Sequence, residues 1–391
     1  MKKYKNKVFV LGLADSGYYI VRALHQAQVP VIAFESRRER PEFRTRLCEK
    51  KIPVSDEDEL IEKLCKTAAQ EYEKPVLFLP SDTYVDFFIR ERNLLEKLFL
   101  INFPKNETIK TLLYKDKFAE YAIENNLKTP KTIIIKNYQG FESGLNVIHF
   151  PIILKPFLRT YKWKAAKLPK IFYLNDRYSA ISLYKKISKI ENRYIIQEWI
   201  PGPDSNIYFC LVYFSSYNNC IASFTGCKLK QWPIGLGTTA SAEPVSDQQV
   251  TATTINFFKN IGYAGFGSIE YKKGMDGHYY IMEPTVGRPN QQSHIVTANG
   301  INMPLMAYNH LTGSNLTAYK KVDKGVKYID EYQEIASAFV MIKNRKLTLS
   351  SWIRSLMGSK TFRFMNKDDI YPFIYSIIFM LKRFVNMDFY G

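Results

Sequence analysis

The amino-acid sequence predicts an α/β fold: an N-terminal open parallel sheet, followed by a part with the α+β character of two smaller subdomains. Three observations predict it. The chain opens on a βαβ pattern, apolar runs alternate with helical patterns through its first third, and the stretch from Ile207 to Glu283 reads mainly as strands. Residues 7–13 (KVFVLGL) form the first expected strand, buried and parallel. Asp15, Ser16 and Gly17 make a turn, YYIVRALHQA a helix with its apolar face at helical spacing, and PVIAFES the second strand. A unit of about 30 residues of this kind joins two parallel strands by a right-handed crossover. PVLFLPSD (75–82) and LFLINF (98–103) read as further strands.

Beyond them lies a helical stretch, TIKTLLYKDKFAEYAIENN, then the strands TIII and PIILKP, a long basic segment, KIFYLND, and a helix through SAISLYKKIS. RYIIQEWIPGPD is a strand running into a Pro/Gly turn. IYFCLVYF, CIASFTGCKL, GFGSIEYKK and HYYIME follow as strands, and GINMPLMAYNHLTG is a helix with Gly313 near its end. The expected division is 1–105, 106–200, 201–325 and a C-terminal extension, 326–391.

Composition narrows the class. The chain has 391 residues, 46% apolar and 24% charged, as expected of a water-soluble globular protein of two or three domains. The formal charge of +18 implies an anionic partner without naming one, or no more than a lysine-rich composition, and nucleic acid, for which charge is the sole argument, is not expected. Five cysteines (Cys48, Cys65, Cys210, Cys220, Cys227) without CxxC spacing argue against a zinc site or disulfide framework and fit a reducing cytoplasm. The N-terminal apolar run is short and ends in Ala14, Asp15 and Ser16, which reads as a strand and not as a signal peptide. No stretch approaches the roughly 18–20 apolar residues of a spanning helix.

GLADSG after the first strand is not GxGxxG, and no GxxxxGK[ST] loop is present, so neither a dinucleotide fingerprint nor a P-loop is read. The chemistry lies in separated elements in fixed order. Lys117 sits in KDKF on a helix. Lys155 ends the apolar strand of PIILKP, where an unpaired ammonium would cost several kcal/mol, so it requires an anion. QEWIPGPD follows. Glu270 in GSIEY and Glu283 in YIMEP then lie on neighbouring strands, where two carboxylates side by side repel unless a cation lies between them. Arg288 is five residues beyond Glu283.

In this order and spacing, from roughly Val8 to Gly313, the chain resembles the ATP-grasp superfamily. It is most similar to the carboxylate–amine ligase branch, related to D-alanine–D-alanine ligase and biotin carboxylase. The resemblance implies an N-terminal pre-ATP-grasp domain and two subdomains clamping ATP. It gives Lys155 the α-phosphate and Lys117 a second contact to the phosphates. In QEWIPGPD, which includes Glu198, the carbonyl near Gln197 and the N–H of Ile200 would read adenine and Asp204 would bind the ribose, with Trp199 facing the core. Glu270 and Glu283 would hold Mg2+ (or Mn2+), with Thr285 as a third ligand where the family usually has asparagine. Arg288 would neutralise the transferring phosphoryl group, and Lys228, with Lys230 as alternative, would reach the γ-phosphate.

The implied activity is ATP-dependent amide formation: a carboxylate is phosphorylated, ADP leaves, and an amine attacks the acyl phosphate. The substrates would be a small carboxylate and a small amine, amino acids among them. Against it stand Thr285 and the segment after Lys155, FLRTYKWKAAKLPK, which has five cations (Arg159, Lys162, Lys164, Lys167, Lys170) and no glycine where the family often has a glycine-rich lid. A nucleotide-binding regulatory protein with a degenerate site is therefore the alternative. An oxidoreductase using the N-terminal domain is a weaker one. His294 is a candidate for substrate contact. The tail from Met341 carries nine basic against three acidic residues, a net +6, around the apolar run IYPFIYSIIFML, capped by Lys382 and Arg383. The expectations are a peripheral contact with an anionic membrane or a helix packed on the body, and a homodimer stays open.

Overall fold

The computed structural model describes residues 5–156, 163, 165–169, 171–191, 193–314 and 324–385, with the side chains of 382–385 excepted. Arg159, Lys162, Lys164 and Lys170 of the basic segment, and Lys382 and Arg383, therefore lie outside the described residues or side chains. The chain divides into two compact units: residues 1–109, 208–269 and 285–391, and residues 110–207 and 270–284.

The first unit opens with the expected βαβ pattern. β1 (Val8–Leu11), α1 (Gly17–His25) and β2 (Val31–Glu35) are followed by β3 (Lys50–Pro53), α2 (Glu57–Ala68), β4 (Val76–Phe78), α3 (Asp82–Arg90) and α4 (Arg92–Leu98). β1 is apolar throughout, β2 is apolar up to its last residue, Glu35, and both are fully buried, as strands of a parallel sheet covered on both faces are. The four strands are parallel in the order β3-β2-β1-β4. That order reverses direction between β1 and β4, so the crevice at their carboxyl ends is the switch point where open sheets bind ligands. LFLINF does not become a strand. Leu100 makes one isolated bridge to Val76, because the chain turns away at Asn102, whose side chain donates to the Phe214 carbonyl at 2.6 Å.

The second unit begins where one long helix was expected. Tyr114, in an extended conformation, breaks it into α5 (Asn106–Leu113) and α6 (Lys115–Glu124), with α5 beginning before the unit boundary. β5 (Thr132–Ile135), α7 (Tyr138–Val147), β6 (Ile152–Pro156), β7 (Phe172–Leu174), α8 (Arg177–Ile187) and β8 (Tyr194–Glu198) follow. Their strands form an antiparallel sheet in the order β5-β8-β6-β7. Its core is aromatic: Trp163 is fully buried, and Phe141 stacks on Tyr184 with ring centroids 4.2 Å apart.

A seven-stranded sheet of order β13-β12-β9-β10-β11-β14-β15 completes the chain. It is built from β9 (Ile207–Ser216), β10 (Asn219–Trp232), β11 (Thr238–Pro244), β12 (Gly265–Lys273), β13 (Tyr279–Val286), β14 (Lys327–Ile329) and β15 (Lys360–Phe362), with α9 (Gln248–Asn260), α10 (His294–Ala298) and α11 (Met303–Leu311) between strands. Residues 326–391, read from the sequence as an extension, belong to the first unit. They supply β14, α12 (Glu331–Lys343), α13 (Leu349–Ser355), β15 and α14 (Tyr371–Val385). Buried charge ties them in. Arg363 bonds Asp330 at 2.8 Å and Glu42 at 3.0 Å, and Asp369 accepts from the hydroxyls of Thr45 and Tyr18.

Candidate active site

The second unit carries most of the residues expected to hold a nucleotide. Lys155 closes β6, paired with Ile195 of β8. Its ammonium donates to Gln197 Oε1 at 3.3 Å, and the Gln197 amide donates in turn to Thr132 Oγ1 at 2.8 Å. Burial pushes the Lys155 ammonium down to about 8, Lys115 pushes in the same direction and Glu283 opposes them. A cation held this way, with a neutral amide as its hydrogen-bond partner, is poised to take an anion.

Lys117 stands exposed on α6, and the second cation acting on Lys155 is Lys115, at the start of that helix. KDKF offers two lysines two positions apart, and spacing alone did not single out Lys115.

β8 stops at Glu198, whose carboxylate accepts from the backbone and ring N–H of His149. The next peptide N–H, of Trp199, donates to the Pro151 carbonyl at 2.9 Å. Trp199 then leaves the pleat. It is half-buried, edge-on to the exposed Tyr173 at 5.3 Å, so the expectation that it faces the core is corrected. Ile200 is partly exposed beside it. The PGPD turn has its own anchor, absent from the sequence reading: Lys272, buried, donates to the carbonyls of Gly202 and Pro203 at 2.9 and 2.7 Å. Asp204, partly exposed, follows directly as the first residue of a short 3-10 turn.

Glu270 and Glu283 lie on β12 and β13, neighbours in the sheet. The hairpin between them closes where Gly274 N–H donates to the His278 carbonyl at 2.8 Å. Glu270 is four residues before that closure and Glu283 five after it. Glu283 is exposed and Glu270 partly so. Among the described residues no group of three or more His, Cys, Asp or Glu gathers. Two carboxylates nonetheless fit magnesium, which keeps several waters and takes substrate phosphates as ligands. Thr285 lies on β13, two residues beyond Glu283 and partly exposed.

The remaining expected residues belong to the first unit. Lys228 and Lys230 are both buried on β10, on either side of a register shift. Lys230 is committed to a 2.6 Å ion pair with Glu334 of α12, while Lys228 donates to Gln231 Oε1 at 3.1 Å. Arg288 follows Gly287, which has φ +69° and whose missing Cβ leaves room for the Phe103 ring. The guanidinium donates to Asp82 Oδ1 at 2.6 Å, at the carboxyl end of β4. Asp82 is 57% exposed against 18% for Arg288, so the pair opens to solvent on the carboxylate side.

The loop after β1 does not await a dinucleotide. Glu35, fully buried at the end of β2, accepts the N–H groups of Leu13 at 2.5 Å, Ala14 at 3.3 Å and Arg37 at 2.7 Å. A carboxylate occupies the donors that a pyrophosphate would need. His294 is buried, stacked on Tyr328 and edge-on to Tyr19, and burial with Arg22 and Arg363 holds its pKa well below the usual value. It is a core residue. Behind Gly287, Phe103 and Tyr213 lies a cavity of about 20 Å³, room for about one water and no substrate.

No protein-family model matches the chain. Over 268 residues it is 25% identical to a D-aspartate ligase of Enterococcus faecium (strain Aus0004), a match covering 64% of this chain and 63% of that protein's length. Among solved structures it is similar to the biotin carboxylase domain dimer of the Hydrogenobacter thermophilus 2-oxoglutarate carboxylase in complex with MgADP, ADP and bicarbonate. There the TM-score is 0.64 at 12% identity, over 83% of this chain and 74% of that one. It is also similar to an L-amino acid ligase from Bacillus licheniformis, with a TM-score of 0.56 at 14% identity over 79% and 75% of the two chains. The chain has the ATP-grasp fold.

Proposed function

We propose that this chain is an ATP- and magnesium-dependent carboxylate–amine ligase that forms an amide through an acyl phosphate and releases ADP and phosphate. The observation that carries the reading is Lys155, a cation kept at the end of an apolar strand with Gln197 as its hydrogen-bond partner and Glu283 as its opposing charge. Lys155 would hold the α-phosphate, with Lys115 or Lys117 as the second cation. The backbone at Gln197 and Ile200 would read adenine, with Glu198 in the same segment and Asp204 on the ribose. Glu270 and Glu283 would hold Mg2+, or Mn2+ in its place, assisted by Thr285. The metal would supply charge neutralisation along the phosphates.

Arg288 would spread the charge that develops as the substrate carboxylate attacks the γ-phosphorus in line, and Lys228 would steady the γ-phosphate. No nucleophilic side chain is required. The relatives' names put amino acids first among the carboxylates and amines to be tried. A cytoplasmic setting follows from that chemistry, and a homodimer is suggested only by the dimeric carboxylase domain.

The test is a screen for ADP and phosphate release over amino acids and small carboxylic acids, with Glu283→Gln as control. The variant is expected to be inactive, and release of AMP and pyrophosphate would sink the acyl-phosphate mechanism. Thr285 and the glycine-free basic segment keep a second reading in play, a nucleotide-binding regulator. It predicts tight ATP binding with no turnover across the whole screen.

A further inference from the structure

The C-terminal helix α14 has two unlike faces. One is held to the body. The Arg46 guanidinium lies 3.6 Å from the centroid of the Tyr371 ring, Arg44 4.6 Å from Tyr375 and Arg40 5.4 Å from Phe379. Pro372 and Ser376 are buried, and Phe373 packs on the core of the first unit. The other face is aliphatic and in water. Ile370, Ile374, Ile377, Ile378 and Leu381 recur at i, i+4, i+7, i+8 and i+11, which is one side of an α-helix, and are 41%, 44%, 39%, 42% and 61% exposed. The clustering is strong: of the twenty-two large hydrophobics exposed among the described residues, twelve fall between Ile335 and Leu381.

Cations lie along the same helix: Arg44 and Arg46, over Tyr375 and Tyr371, are exposed, and Arg40, over Phe379, is partly so. Asp369, next to the stripe, is buried and consumed by Thr45 and Tyr18, which leaves Asp368 and Glu39 as the exposed acids nearest in sequence. The chain as a whole carries +18.

We propose that α14 is an interfacial helix that docks this chain on an anionic phospholipid surface. The isoleucines and Leu381 enter the acyl boundary, Arg40, Arg44 and Arg46 meet headgroup phosphates, and Tyr371 and Tyr375 sit at headgroup depth. Charge selects this occupant over the others. A second copy would bring its own arginines against these, and a nucleic acid would leave the aliphatic stripe in water. Fifteen helical residues span about 22 Å, and no helix among the described residues is long and apolar enough to cross a membrane, so the helix lies along the surface.

Co-sedimentation of the full chain with vesicles tests it. Binding is expected to phosphatidylglycerol–phosphatidylcholine vesicles and not to phosphatidylcholine alone, and to weaken at high salt. Ile374→Ser with Ile378→Ser, and separately Arg44→Glu with Arg46→Glu, should each lower the partition coefficient about tenfold or more. Unchanged melting temperature and nucleotide binding would show that the variants fold. No partition to anionic vesicles overturns the proposal, as does partition of either variant equal to that of the unsubstituted chain. A concentration-dependent dimer that the isoleucine variant dissociates, without vesicle binding, would assign the face to a second copy.

Discussion

On the proposed function, Lys155 makes nucleotide binding sensitive to pH in a range where most lysines are indifferent. Its ammonium titrates at about 8, lowered from 10.5 first by burial and then by Lys115. A lysine with a lowered pKa in the folded protein loses its charge as pH rises through that value. At pH 7 about nine-tenths of the side chains are charged, and at pH 9 about one-tenth. A phosphate prefers the charged form, so binding at pH 9 requires a proton to be taken up first. Affinity for MgADP should therefore fall about tenfold from pH 7 to pH 9, or about 1.4 kcal/mol. The same linkage makes folding stability of the free protein rise between the two pKa values, because there the unfolded chain binds the extra proton. Calorimetric titration at pH 7, 8 and 9 measures the affinity, with Lys155→Arg as control, since a guanidinium keeps its charge throughout. A flat profile for the unsubstituted chain, or a parallel fall in the arginine variant, would refute the assignment of the phosphate to Lys155.

Arg288→Ala should lower kcat by about 10² to 10³ while MgADP affinity stays nearly constant, because the proposed role sets its charge where phosphoryl transfer develops charge; a loss of affinity instead would make it a ground-state contact. Glu334→Ala strands the buried Lys230 ammonium and should cost about 3–5 kcal/mol in urea unfolding. Replacing both residues by Met and Leu should recover most of that. Gly287→Ala forces a side chain into φ +69° against Phe103 and should destabilise by about 1–3 kcal/mol, with activity falling as Arg288 is displaced.

Local patterns made much of the architecture legible. β1 and β2 were plain because uninterrupted apolar runs bounded by Gly and Pro leave few alternatives, and the strands around Lys155 and Gln197 were plain for the same reason. What stayed hidden was non-local. The partner of Lys230 lies 104 residues away and that of Arg288 206 residues away, distances at which no periodicity speaks. α9 was missed because its buried positions, Val250, Thr254, Phe257 and Phe258, include β-branched residues and a polar one in a stretch rich in threonine and asparagine, weak helix formers. The basic tail looked separable because net charge does not show which charges are spent inside. Arg363 and Asp369 are spent there, and with them the tail joins the first unit. At the proposed site, residue type and order singled out Lys155, Glu270 and Glu283 as candidates, but could not separate Lys115 from Lys117 or foresee the Lys272 anchor, since both depend on where a side chain ends up.

The most direct measurement follows oxygen. Once the screen has found a substrate pair, the carboxylate is labelled with 18O and the released phosphate analysed by mass spectrometry. Transfer of the carboxylate oxygen to the γ-phosphoryl group predicts one 18O in inorganic phosphate, with ADP unlabelled. Label appearing in AMP, with pyrophosphate released, would contradict the account.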